Sequence, residues 1–184
     1  MSKDTVESLM ARGLEKHDQG DLRGAEQCFA QVAAKDPKNA DALHYMGRIA
    51  YQMGDGDNAV MYLQKAIAAR SDFGQAYNSL GDLLRDVRQF DQALVAYRKA
   101  RQMNPEIADA HLNEGLILQQ TGHTEDAIPC YRKVAELVPD NSQVHHLVGL
   151  ACHEVGELEE ALKAYEIALA LDPAFTAARF NAGV

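Results

Sequence analysis

Small and large side chains recur along this chain on one fixed interval. Glycine stands at positions 13, 47, 81, 115, 149 and 183, and alanine at 25, 59, 93, 127 and 161, each series stepping by 34. Four residues after each alanine comes a bulky side chain: Phe29, Leu63, Tyr97, Tyr131 and Tyr165. Three further on come Val32, Ala66, Ala100, Val134 and Ala168. Pro37, Pro105, Pro139 and Pro173 close the units, with Ser71 at that place in the second. Such a period marks a repeat architecture, in which each unit buries its apolar face against the next.

Within a unit the pattern predicts two helices, for example Asp41 to Met53 and Asp57 to Ala69. The pairs Gly20-Asp21, Gly54-Asp55, Gly122-His123 and Gly156-Glu157 supply a glycine where the first helix stops. The third unit has Arg88-Gln89 there, so its hairpin is expected to be slightly distorted or looser. Proline cannot continue the second helix, which ends just before it. Pro129 falls inside a predicted second helix, where a mild local distortion is expected.

These landmarks resemble the tetratricopeptide repeat: Gly at position 8 of the unit, Ala at 20, Phe or Tyr at 24, a small residue at 27 and Pro at 32. The resemblance covers units 6–39, 40–73, 74–107, 108–141 and 142–175, then the start of a sixth at 176–184. It implies an all-α, right-handed superhelical solenoid of antiparallel helix pairs, a single domain over 1–184. The family's position 7 is usually apolar. Here Arg12 and Glu114 occupy it, so these side chains should be partly exposed or charge-paired. The sixth unit breaks off within its first helix, which suggests the N-terminal part of a longer protein.

Composition narrows the function. A formal net charge of −9 disfavours general nucleic-acid binding, which rests on Lys and Arg neutralising phosphates, and docking on anionic membranes. There is no apolar run of transmembrane length and no signal-peptide core, so no membrane insertion is expected and a cytoplasmic location is. Cys28, Cys130 and Cys152 form no CxxC pair and read as reduced and buried or half-buried. His146 and His153 lie two helical turns apart, about 10 Å, too far for one zinc. The run HEVGE at 153–157 lacks the second His of a zinc helix. No nucleophile elbow, phosphate loop or dinucleotide fingerprint occurs, so no cofactor, metal or catalytic residue is assigned.

The resemblance implies that the first helix of each pair lines an inner, concave face. That groove comprises Met10 and Leu14, then His44, Tyr45, Arg48 and Tyr51, then Asn78, Asp82 and Arg85, then Leu112, Asn113 and Leu116, and last His146, Leu150 and His153. Tyr and Arg are frequent anchors in protein interfaces, which makes the second unit the preferred one. The lysines with which co-chaperones of the family grip a C-terminal carboxylate are missing, and Arg48 stands where an Asn would be needed. The expected function is a non-enzymatic scaffold that binds a protein or peptide ligand. Alternatives are a non-catalytic module of a larger bacterial glycosyltransferase or sulfotransferase, and self-assembly into a homo-oligomer through the unfinished last repeat.

Overall fold

The computed structural model describes residues 4–183, and Val184 of the partial sixth repeat lies outside them. Among the described residues there are eleven α-helices and no strand. The longer helices come in pairs: α1 (Val6–Asp18) with α2 (Leu22–Lys35), α3 (Ala40–Gln52) with α4 (Gly56–Ala69), and α5 (Gly74–Asp86) with α6 (Phe90–Met103). They continue with α7 (Ala108–Gln120) and α8 (Thr124–Leu137), α9 (Ser142–Glu154) and α10 (Leu158–Leu171), and the short α11 (Thr176–Ala182). First helices start at 6, 40, 74, 108, 142 and 176, so the interval of 34 holds at the level of elements. Ala40 and Gly56 each open their helix one residue before the expected bound, because the capping side chains are Asn39 and Asp55.

Two compact units divide between Arg88 and Gln89, inside the third repeat. In the first, α1 packs on α2, α2 on α3, α3 on α4 and α4 on α5, with a lesser contact between α3 and α5. In the second, the order α6, α7, α8, α9, α10, α11 is also the order of packing. The small positions explain the close approach. A Cβ on Gly13 would come 2.7 Å from Phe29, one on Gly115 2.7 Å from Tyr131, and one on Gly149 2.4 Å from Tyr165. The ring at position 24 thus packs directly against the glycine of its own repeat, while Phe29 also stacks on Tyr45 of the next at 5.0 Å.

Helix ends show where the sequence speaks locally. Asp21, Asn39, Asp55 and Asn141 cap helices by accepting hydrogen bonds from backbone N–H groups of the first turn. Gly20, Gly54, Gly122 and Gly156 end the first helices with φ between 79° and 86°. Arg88 adopts the same left-handed region at φ 60°, so the third turn keeps its geometry and the backbone bears the strain. Pro129 leaves α8 unbroken from Thr124 to Leu137.

Both departures at position 7 resolve as charge pairs. Arg12 is exposed and meets Asp4 at 3.2 Å. Glu114 is buried, with a side chain only 4 % exposed, and is gripped by two arginines of α6. Arg98 Nε donates to Oε1 at 2.9 Å, and Arg101 lies 2.7 Å from Oε2 at ionic distance but off hydrogen-bond geometry. Both arginines are partly solvated, so the carboxylate is neutralised from the rim of the core rather than from within it.

Candidate functional site

In the first unit, α3 carries Arg48, Tyr51 and Gln52 beside Ser79 and Asp82 of α5, around a cavity of about 160 Å³ floored by Leu63. The Tyr51 hydroxyl donates to the Asp86 carboxylate, and that bond pushes the phenol up to about 12. Asn78 donates weakly to Asp82 at 3.5 Å. The Arg48 guanidinium lies 5.8 Å from the Tyr45 ring centroid and makes no ion pair among the described residues. His44 shares a 2.9 Å hydrogen bond with Ser79 and sits 4.9 Å from the Phe73 ring. Burial first, then the nearby Arg48 charge, lowers its pKa to about 4, so it is neutral at ordinary pH.

The second unit repeats this scheme with other residues. His146 shares a 3.0 Å hydrogen bond with Asn181 and sits 4.8 Å from Phe175; burial again lowers its pKa. Tyr131 donates to Gln119 at 2.9 Å, and Gln119 donates to Glu154 at 2.9 Å. The pairs His44–Ser79, Tyr51–Asp86, Gln119–Glu154 and His146–Asn181 are each 35 residues apart. One repeat length plus one residue brings successive first helices side by side, and these pairs join them rung by rung.

The remaining sequence-derived residues are distributed unevenly. Met10, Leu14 and Tyr45 are half-buried and pack against the first unit's core, as Leu112 and Leu150 do in the second. Leu116 is 38 % exposed. His153 is exposed, and Asn113 and Arg85 are half-buried. His44 and Asn78 are buried, so they hold neighbours in place and offer little surface. Sequence reasoning did not select Asp86, Glu154, Asn181, Phe73 and Phe175. The signal was available, since polar residues stand at both ends of every rung.

No group of three or more His, Cys, Asp or Glu among the described residues is placed to hold a metal ion. Cys28, Cys130 and Cys152 are free and buried, and burial pushes the Cys130 thiol up to about 11, away from nucleophilic thiolate. No described helix is long and apolar enough to cross a membrane.

A profile described as tetratricopeptide repeat matches residues 78–142 and 112–174, and a second of the same description matches 16–83. The chain belongs to the tetratricopeptide repeat family. Solved structures agree in fold. The crystal structure of MamA protein is 26 % identical, with a TM-score of 0.75 over 94 % of this chain and 94 % of that one. YrrB, described as a TPR protein with an unusual peptide-binding site, is 19 % identical, with a TM-score of 0.74 over 98 % and 93 %. TTC0263, a thermophilic TPR protein in Thermus thermophilus, is 21 % identical, with a TM-score of 0.68 over 97 % of both chains. No curated protein matches the chain. As an all-α tetratricopeptide repeat array, the chain is a protein-interaction scaffold in the general sense of its family.

Proposed function

We propose that the chain is a non-catalytic scaffold that captures a peptide or partner helix on the faces of its first helices, with α3 as the anchor. The observation that supports this is the Arg48 guanidinium, which has no ion pair among the described residues and lines a cavity with Tyr51, Gln52, Ser79 and Asp82. An unpaired arginine held against a tyrosine ring, with a second tyrosine beside it, is the kind of amphipathic cluster on which interface energy concentrates. The net charge of −9 favours a protein ligand over nucleic acid. Free, buried cysteines suit the reducing cytoplasm. YrrB supports only the capacity of the fold to take a peptide.

Displayed peptides selected on the wild-type chain test the reading. They should bind Arg48→Ala at least about tenfold more weakly, a loss of about 1.4 kcal/mol or more. Peptides that bind Arg48→Ala and the Tyr45/Arg48/Tyr51→Ala variant as tightly as the wild type would remove the anchor. Self-association is a second reading, favoured by Leu158 at 60 % and Phe180 at 85 % exposure. Sedimentation of the chain as a monomer at high concentration rules it out.

A further inference from the structure

A different groove runs between the second helices of repeats one and two. It has a volume of about 760 Å³, with walls formed by Ala30, Ala33 and Ala34 of α2 and by Tyr62 and Ala69 of α4. Leu43 and Met46 of α3 form its floor. Lys38 and Lys65 stand on its rim. Both are exposed and make no ion pair among the described residues; Lys65 lies 5.7 Å from the Tyr62 ring.

The repeat provides its own control. Three repeat lengths on, the same register between α8 and α10 has only about 440 Å³ and is lined by Arg132, Glu136, Glu160 and Lys163. Ala30 corresponds to Arg132 and Ala34 to Glu136, each 102 positions later, three times the interval of 34. The architecture therefore accepts large charged side chains at these places, and the first pair of repeats lacks them. Acidic residues are missing there as well. From Gln27 to Lys35 and from Asn58 to Arg70 there is no Asp or Glu, in a chain that has 27 of them. The corresponding stretches 129–137 and 160–172 carry Glu136, and Glu160, Glu166 and Asp172.

We propose that this groove seats an amphipathic helix of a partner protein, its apolar stripe flanked by Asp and Glu. Rows of small side chains at spacings of three and four form shallow ridges into which a third helix packs. The walls are helices with their backbone groups already paired, so they offer no edge to an extended strand. Rim lysines without ion-pair partners among the described residues, and a groove lining with no Asp or Glu, select an acidic ligand. The proposal is independent of the Arg48 cluster on α3.

The full chain is titrated with a labelled helical peptide bearing Leu and Ala on one face and Glu on both flanks. A counterpart with Lys in place of Glu, and one broken by a central proline, are run beside it. The acidic helix should bind about tenfold or more tighter than the basic one at low salt, the gap narrowing as salt screens the charges. Ala30→Arg with Ala34→Glu introduces the side chains that α8 carries in register, so the helix should persist by circular dichroism while binding falls about tenfold or more. Lys65→Glu should weaken the acidic peptide and strengthen the basic one. Arg48→Ala should leave this binding unchanged, which separates it from the Arg48 cluster. Absent binding of the acidic helix, equal binding of the acidic and basic helices, undiminished binding of the proline-broken peptide, or a folded Ala30→Arg/Ala34→Glu variant that binds as wild type each overturns the proposal.

Discussion

Two kinds of glycine do different physical jobs in this chain, and one substitution tells them apart. Gly122 sits at φ +82° with nothing within 4 Å of a would-be Cβ, so its demand is purely on the backbone. Gly149 is an ordinary helical residue, but a Cβ there would stand 2.4 Å from Cε1 of Tyr165, a ring only 2 % exposed with no room to retreat. Gly122→Ala should cost about 1–2 kcal/mol from the left-handed backbone alone, and Gly122→Asn should recover part of it. Gly149→Ala should cost about 1–3 kcal/mol through displaced packing, and Gly149→Asn more still. Urea unfolding of the four variants checks this. An Asn that rescues both sites, or neither, contradicts the division of roles. The interval of 34 made both sets of glycines conspicuous in the sequence, and Arg88 shows that the turn conformation does not strictly require one.

The elements were legible because their signals are local: a glycine at the turn and a proline after the second helix. The rungs between first helices were not read. They depend on which positions of neighbouring repeats come face to face, a property of the stacked geometry rather than of any one segment. Met10, Leu14, Leu112 and Leu150, expected on the groove wall, are half-buried and pack against the core clusters. The rung from His44 to Ser79 carries a pH signature. Its folded pKa of about 4 lies below the usual 6.5, so the unfolded chain binds the proton more readily. The resulting stability is fully present above pH 6.5 and drains away as pH falls towards 4. The depression corresponds to at most about 3 kcal/mol. Wild type should therefore lose more stability between pH 7 and 4.5 than His44→Gln, as measured by urea midpoints at each pH. Parallel losses in the two proteins would remove His44 from the account.

At the scale of the whole molecule, the decisive feature is the range of the contacts. Within each unit a helix packs chiefly on its sequence neighbours, and the helices that skip an element, α3 with α5, α7 with α9 and α9 with α11, meet through the rungs. Stability in such an array is a sum of repeat terms and nearest-neighbour terms, so a lesion should be felt locally and fade with distance. Gly149→Ala disturbs the contact between α9 and α10, the pair that holds Val148, Cys152, Ala161 and Tyr165 in one core cluster. Amide hydrogen exchange should accelerate in α9, α10 and α11, less in α8, and be unchanged in α1 to α4. Gly13→Ala, which presses on Phe29 and through it on Tyr45, should give the mirror image, with fast exchange in α1 to α3 and none added in α9 and α10. If either variant raised exchange equally across all the helices, the chain would unfold as one cooperative body. The 34-residue interval would then govern its shape without setting the units in which it comes apart.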